Sequence, residues 1–478
     1  MNRKGIATII FIASCTGCVH AQDNHLPQSS SKLAVTMQNP AYEPYSVSFE
    51  AGSRDDSGNF LGGSELINLV GFKGKLYAGI GYWMDQPDFF ADHIDPTSAA
   101  QVLVLDSKGG KWRQEVVFDD KDTTGKFKYV RLSSMKNITF HEYDDAGKMT
   151  KPLTEMLVAS LDGNKGALFA QVDSGGWRNL NIPASSPVRS FAVHFNPYTK
   201  TEKLYIGSGR LTTSNGAIFS GTYDPDSPNQ MIRWNTKPEF SGFPNRVMSF
   251  EECEGKLFFA AKPKIYRLDD KSGNWEVLYS YPLTHSFDKT KYVSGFRALT
   301  CVPDSDHPNK KILLSGFEGT EGDIIRIDPQ TSAAQVELNS RKFLSEKWDS
   351  KIPPTTDIIV GYSNLPYLES SGEGAYLFGL LARNPNKDDI NSAWFLSRNG
   401  SHHTYKLHRV NPIKWTNIKS DQRLFSVRAI AISPFPEDQG KVIFLGGYDG
   451  HFKSVHNTAW LYRVGIETAL KPHNNFSN

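Results

Sequence analysis

The sequence lacks the long apolar run that a membrane-spanning helix needs, since no stretch of about 18 apolar residues occurs in its 478 residues. It also lacks an excess of charge, because 53 Lys and Arg residues stand against 51 Asp and Glu residues. A nucleic-acid-binding surface set by bulk charge is therefore excluded. With 39% hydrophobic and 12% aromatic residues, the chain is too apolar to remain disordered.

The common catalytic motifs are absent as well. The chain has no G-x-S-x-G sequence, no phosphate-binding glycine loop and no zinc-protease motif. Asp449, His451 and His456 have a spacing that matches no firm set of metal ligands. The sequence therefore predicts no cofactor and no metal, and it names no activity by motif.

The N-terminus has the layout of an export signal. Arg3 and Lys4 precede an apolar stretch over residues 6–13, and small residues follow. We predict a signal peptide over residues 1–21. Residues 22–43 are rich in Gln, Ser and Pro, so they are expected to form a flexible tether.

Two cleavage sites remain open within this leader. Residues 12–15 resemble the lipobox of bacterial lipoproteins, in which Cys15 is acylated and becomes the new N-terminus. Residues 19–21 suit ordinary signal peptidase instead. The first site places the protein at the outer membrane as a lipoprotein, and the second places it in the periplasm or outside the cell.

Cysteine is scarce, with four residues in the whole chain. Cys15 and Cys18 belong to the leader, which leaves Cys253 and Cys301 for the folded part. An oxidising compartment allows these two to form a disulfide, and the alternative is two buried free thiols.

Beyond the leader, one pattern of short β-rich runs recurs seven times at a spacing of about 60 residues. Each copy opens on a strand with one charged residue near its start. A second apolar strand follows, often preceded by Lys and closed by Gly. A third strand continues in several copies through a Gly-bearing turn into a fourth strand that opens on Trp. The charged residues of the seven copies are Glu65, Arg131, Arg189, Arg246, Arg297, Asp357 and Arg428.

Four strands in each of seven copies predict an all-β fold, a seven-bladed β-propeller over residues 44–466. The last copy supplies three strands before the pattern fades, and residues 467–478 are predicted to be a tail. An unassigned β-like run over residues 45–50 is expected to complete the last blade as its outer strand. This closure makes blades 7 and 1 neighbours.

The charged residues that open the seven copies are expected to form a ring where the first strands enter the central channel. Long polar loops are predicted on the same face, so this face is expected to carry the function. Five guanidinium groups beside two carboxylates suit carboxylate, sulfate or phosphate ligands. The alternative is that the arginines bind backbone carbonyls and the two acids, and so lock the blades together.

A second group of residues is predicted at the junction of blades 7 and 1. Blade 1 contributes Tyr82, Trp83 and Asp85, and blade 7 contributes His451 and His456. Aromatic rings can stack on sugars, while imidazole, phenol and carboxylate groups can bind hydroxyls or transfer protons. The alternative is an aromatic cluster that packs a long loop against the body.

Several segments resemble a group of exported bacterial propeller proteins without an assigned function. They are residues 74–79 with 81–83, 246–250, 433–438 and 456–460. The resemblance covers most of the mature chain and implies the propeller fold, but it brings no catalytic residues. The paired glycines of kelch repeats, the Trp-Asp of WD40 repeats and the Asp-box of sialidases are missing.

Three functions follow as hypotheses. The first is a module that binds an anionic glycan or another envelope ligand, with Trp83 and Tyr82 stacking on sugars. The second is a polysaccharide lyase, in which an arginine neutralises a uronate and His451, His456 or Tyr82 moves the proton. The third is a scaffold that binds an envelope protein. No nucleic-acid partner is expected, membrane contact is expected only through a lipid anchor, and the oligomeric state is left open.

Overall fold

The structure of the protein is a computed structural model. It describes residues 39–82, 99–163, 166–172, 176–209, 216–227, 231–290, 294–307, 309–362, 365–369, 374–382, 393–410, 426–448 and 457–471. All of these residues belong to one compact unit that begins at Asn39. Cys15 lies outside the described residues.

The first strands and the first three blades follow one another along the chain. The N-terminal strands are β1 (Ser46–Glu50), β2 (Ser53–Arg54) and β3 (Phe60–Leu61). Blade 1 consists of β4 (Glu65–Phe72), β5 (Lys75–Gly81), β6 (Gln101–Leu105) and β7 (Arg113–Val117). Blade 2 consists of β8 (Tyr129–Tyr143), β9 (Met149–Gly163), β10 (Ala167–Val172) and β11 (Gly176–Asn179). Blade 3 consists of β12 (Val188–Asn196), β13 (Thr201–Ser208), β14 (Gly216–Tyr223), β15 (Ile232–Trp234) and β16 (Phe240–Phe243).

The remaining four blades repeat the arrangement. Blade 4 consists of β17 (Ser249–Cys253), β18 (Lys256–Ala261), β19 (Lys264–Asp269) and β20 (Asn274–Ser280). Blade 5 consists of β21 (Gly295–Pro303), β22 (Lys311–Glu318), β23 (Ile324–Ile327) and β24 (Ala334–Leu338). Blade 6 consists of β25 (Ile359–Val360), β26 (Tyr367–Leu368), β27 (Ala375–Leu381), β28 (Trp394–Asn399) and β29 (Tyr405–Arg409). Blade 7 consists of β30 (Ser426–Ile432), β31 (Val442–Tyr448) and β32 (Trp460–Gly465), together with β1.

Helices are short and lie in the connections. The described α-helices are α1 (Ser286–Thr290), α2 (Ser340–Lys347) and α3 (Ile466–Ala469). The Asn339 side chain caps α2 by accepting a 2.8 Å hydrogen bond from the backbone N–H of Lys342. Because α1 and α2 stand between successive blades, they add bulk to the face where the first strands begin.

The apolar core lies between neighbouring blades. The second strands are buried on both faces, as in β18, where every residue after Lys256 is buried. One cluster joins blades 5 and 6 through Leu314, Val360 and Phe378, and other clusters join further blade pairs in the same way. Strands covered on both faces need a continuous apolar sequence, and the second strand of each copy has one.

Two contacts close the ring between the chain ends. Strand β1 pairs antiparallel with β32, so the N-terminal segment forms the outer edge of blade 7, as predicted. Gly446 in β31 approaches blade 1 so closely that an added Cβ would lie 2.6 Å from Leu66 Cδ2. The chain is a seven-bladed β-propeller. Blades 3 and 6 depart from four strands because each contains an additional short strand beside its second or third strand.

Candidate functional site

The predicted ring residues lie at the end of the channel where the first strands begin. Glu65 is the first residue of β4, while Arg246 lies three residues before β17 and Asp357 two residues before β25. The pairing of the first strand becomes irregular within two residues of the charged position in five blades. A bulge turns a side chain out of the regular alternation. Among these strands, Arg189 and Arg428 are themselves the extra residues.

Glu65 connects three blades through its carboxylate. Its side chain is fully buried, and its Oε2 accepts from Nη1 of Arg428 in blade 7. Nε of Arg131 in blade 2 lies 3.9 Å from Oε1 of the same carboxylate. The blade 7–blade 1 closure is therefore tied by a buried ion triad at the channel end.

A second ion pair and an aromatic ring continue this arrangement. Nε of Arg297 donates to Oε2 of Glu318 at 2.5 Å. The guanidinium groups of Arg428 and Arg297 lie 4.6 and 5.6 Å from the ring centroid of Tyr362. The Tyr362 hydroxyl is 3.0 Å from Oγ of Ser426. Burial raises the pKa of Tyr362, against the opposing effect of Arg428, so its ring stays neutral between the two cations.

The ring residues differ in how accessible they are. Arg131, Arg246, Arg297, Arg428 and Glu65 are buried, whereas Arg189 and Asp357 are half-buried. The Glu65 contacts with Arg428 and Arg131 join different blades, as one of the two sequence-based alternatives expects, whereas Arg297 and Glu318 belong to the same blade. Binding of a ligand by the ring stays a prediction.

The channel holds a cavity of about 460 Å³ below the ring. Its wall is formed by later residues of the first strands of blades 1, 2 and 7, with contributions from blades 4 and 6. Tyr362 and Arg428 lie at its inner end and are buried, whereas Asn137, near its other end, is exposed. The cavity is therefore accessible from the face where the first strands end.

Cationic side chains meet at the inner end of this cavity. A small recess of about 20 Å³ shares Ile67, Ser134, Lys136, Tyr362 and Arg428 with the cavity wall. Its wall also contains Arg189 and the hydroxyl-bearing residues Ser133 and Ser190. Three cations and several hydroxyls around one small space form an environment that suits an anionic group.

Lys136 and Glu251 carry opposite charges in the cavity wall. Burial lowers the pKa of Lys136, and the charge of Glu251 opposes this shift. Burial raises the pKa of Glu251, which the backbone N–H of Cys301 and the charge of Lys136 oppose. Both groups have lost part of their hydration, yet no salt bridge within 4.0 Å joins them among the described residues. Neither residue was singled out from the sequence.

The two cysteines of the folded part form a disulfide. Cys253 ends β17 of blade 4 and Cys301 lies in β21 of blade 5, with 5.3 Å between their Cα atoms. Cys301 also donates its backbone N–H to Oε1 of Glu251 at 3.0 Å. The disulfide therefore lies directly behind one part of the cavity wall.

The predicted aromatic and imidazole site at the blade 7–blade 1 junction is only partly described. Tyr82 is buried, and its hydroxyl oxygen lies 3.5 Å from Oδ1 of Asn457 in blade 7. Trp83, Asp85, His451 and His456 lie outside the described residues. The junction between the two blades is thus as predicted, while the catalytic and stacking roles stay predictions.

One further polar cluster has the residue types of a metal site. Asp304, Asp306 and His403 bring ligand atoms within 4.8 Å of one another on the side of the short turns. Arg326 binds both carboxylates, with Nη2 2.6 Å from Asp304 and Nη1 2.6 Å from Asp306. The arginine pairs with both acids, so the cluster is explained as an internal ion-pair network.

Comparisons with known proteins find similar solved structures but no family. No protein-family model and no curated protein matches the chain. Among solved structures, the chain is similar to the extracellular domain of a hybrid two-component system from B. thetaiotaomicron, with 11% identity and a TM-score of 0.45. The match covers 88% of this chain and 39% of that one. No helix among the described residues is long and apolar enough to cross a membrane.

Two other solved structures are similar to the chain at comparable identity. The Dos1 propeller is 10% identical over 87% of this chain and 81% of its own, with a TM-score of 0.41. A chain of the mitotic checkpoint complex is 15% identical over 94% of this chain and 99% of its own, with a TM-score of 0.43. At such distances the assignment of the fold rests on the strand order of the chain itself.

Proposed function

We propose that the protein is an exported binding module that holds an anionic glycan, or another anionic molecule of the cell envelope, by its charged group in the central channel. The observation that carries the proposal is the meeting of Lys136, Arg189 and Arg428 around one recess. Arg189 and Arg428 belong to the predicted ring, and both line this recess inside the channel. The proposed binding place is therefore the channel rather than the face on which long loops are predicted.

The electrostatics of the recess support an anion. Arg428 is paired with Glu65, so part of its charge is already compensated. Lys136 lies close to an aromatic ring and a carbonyl oxygen of Phe191, with its Nζ 3.4 Å from that oxygen. A lysine that has lost hydration without a carboxylate in contact gains most from a ligand that brings a negative charge.

The size of the cavity supports a small ligand or the end of a larger one. Its volume of about 460 Å³ falls within the range of about 300–1,000 Å³ that is usual for small-molecule sites. The wall combines the polar groups named above with apolar residues such as Leu69, Met135 and Ile430. Such a mixture suits a sugar ring, whose C–H faces pack on apolar surface while its substituents form hydrogen bonds.

Calorimetry on the purified full chain tests this function. Glucuronate, glucose 6-phosphate and glucose are the probes, and we expect binding of the two anionic sugars but not of glucose. Replacing the charge in Lys136→Met should weaken anion binding about tenfold or more, because a charge-assisted hydrogen bond contributes about 1.5–3 kcal/mol. Lys148→Met, at an exposed lysine of the same blade, is the matched control.

Three outcomes would contradict the proposal. Equal affinity for glucose and glucose 6-phosphate would show that charge is not recognised. An unchanged affinity in Lys136→Met would place the anion elsewhere. A rise in absorbance from unsaturated products of a uronate polymer would favour the lyase hypothesis over a binding module.

A further inference from the structure

The cavity wall contains a carboxylate that an anion-binding site does not need. Oε1 of Glu251 accepts the hydrogen bond from Cys301, while Oε2 has no hydrogen-bond donor among the described residues. The side chain is half-buried and lines the cavity. A carboxylate that has lost part of its hydration and keeps an acceptor oxygen toward a cavity is an element of ligand recognition when a donor can reach it.

A purely anionic ligand would be repelled by this group. Glu251 and Lys136 face the same cavity with opposite charges, and no salt bridge between them neutralises the pair. A structural role alone would be served better by direct contact between the two charges. Since both groups line the same cavity, a ligand bound there can meet each of them with the opposite charge.

We infer that the ligand is a zwitterion, whose anionic group binds at Lys136, Arg189 and Arg428 and whose protonated amine binds Glu251. This inference rests on the proposed function, because it assumes the same cavity and the same anion site. The apolar part of the wall between the two ends, which includes Met135 and Leu69, packs against the body of the ligand. Amino-sugar acids and phosphates, and amino acids with a bulky side chain, belong to this chemical class.

A matched series of sugar phosphates tests the amine separately from the anion. Glucosamine 6-phosphate carries both groups, glucose 6-phosphate has a hydroxyl in place of the amine, and N-acetylglucosamine 6-phosphate has the amine blocked. Glucosamine has the amine without the phosphate. Calorimetry on the full chain should rank glucosamine 6-phosphate first, about tenfold tighter than the two other phosphates, with glucosamine the weakest.

Glu251→Gln tests the residue itself. Glutamine keeps an oxygen to accept the hydrogen bond of Cys301, so the wall is retained while the charge is removed. We expect this variant to lose the preference for glucosamine 6-phosphate over glucose 6-phosphate and to bind glucose 6-phosphate at least as well as the unaltered protein. Glu155→Gln, at an exposed glutamate of blade 2, should change neither affinity, and thermal unfolding of both variants confirms that they are folded.

The outcomes separate this inference from the proposed function. Equal binding of glucosamine 6-phosphate and glucose 6-phosphate, both tighter than glucosamine, would overturn the zwitterion and leave anion binding in place. A preference for the amine that persists in Glu251→Gln would assign the amine to another residue and overturn the role of Glu251. Absence of binding by every phosphate would overturn both.

Discussion

The backbone N–H of Cys301 donates to the Glu251 carboxylate across 3.0 Å, and Cys301 is also bonded to Cys253, two residues beyond Glu251 in the same strand. The first strands of blades 4 and 5 are therefore joined twice within a few residues, once covalently and once through the cavity wall. A change in this link is therefore expected to alter both the stability of the ring and the position of the Glu251 carboxylate.

Loss of the disulfide is expected to lower the free energy of unfolding by about 4 kcal/mol. The two cysteines are 48 residues apart, and the chain-entropy relation gives this magnitude for a loop of that length. Denaturant unfolding with and without a reductant measures the effect. The double variant Cys253→Ala with Cys301→Ala is the control, because its midpoint should not respond to the reductant. Coinciding midpoints for the reduced and oxidised protein would contradict the prediction.

A buried histidine between blades 3 and 4 predicts a dependence of stability on pH. Nδ1 of His194 lies 2.7 Å from Glu252 and Nε2 lies 2.8 Å from Asp270, which Lys256 also contacts at 3.1 Å. Burial alone would lower the pKa of His194, but the hydrogen bonds and charges of Asp270 and Glu252 outweigh it and raise the pKa to about 9. The folded-state pKa is thus above the ordinary value of 6.5.

The raised pKa of His194 determines whether stability rises or falls with pH. The stability that the protonated imidazole contributes is fully present below pH 6.5 and is lost as the pH rises through about 9. The loss is on the order of 3 kcal/mol. We expect His194→Gln to remove this decline, as measured by urea unfolding across the same pH range. Lys256→Met, which keeps the imidazole, should retain the decline, and a flat profile in the unaltered protein would contradict the prediction.

The repeat made the ring of blades predictable from the sequence. The charged residue that opens each copy marks the start of the first strand, and Glu65 and Arg428 meet because blades 7 and 1 close the ring. The N-terminal strand was predictable because the last copy lacked its fourth strand. Both inferences depend only on the number and order of the repeat copies, and bulges within single strands do not change that number.

The channel wall was not predictable, because bulges break the alternation of side chains. Strand β8 shifts register both before Arg131 and between Leu132 and Ser134. The regular alternation of side chains along a strand therefore does not predict which face of the sheet Lys136 occupies. In blade 6 the first strand is interrupted after Val360, and Gly361, with a φ of 73°, redirects the chain so that Tyr362 lies between Arg297 and Arg428. A side chain at such a break has no equivalent position in the other copies of the repeat, so the repeat does not predict its place.

Removal of the Glu65 charge is expected to destabilise the ring closure strongly. Glu65→Gln leaves Arg428 and Arg131 buried at the channel end without their carboxylate, and a broken buried ion pair costs about 3–5 kcal/mol. Denaturant unfolding measures the change. The control is Lys111→Met, which removes a pair with Asp56 whose two side chains are each 77% exposed, and it should cost less than about 1 kcal/mol. Similar costs for the two variants would contradict a locking role for Glu65.

The close approach of blades 5 and 6 gives a prediction that depends on packing alone. An added Cβ at Gly316 in β22 would overlap the carbonyl oxygen of Val360, and backbone cannot move aside as a flexible side chain can. Gly316→Ala is therefore expected to lower the free energy of unfolding by about 2 kcal/mol or more, as overpacking of a tight interior does. Gly176→Ala is the control, because an added Cβ there meets no atom within 4 Å, and its denaturation midpoint should stay close to that of the unaltered protein. An unchanged free energy of unfolding in Gly316→Ala would mean that blades 5 and 6 can move apart without loss of stability. Close packing between these blades would then not determine the width of the channel.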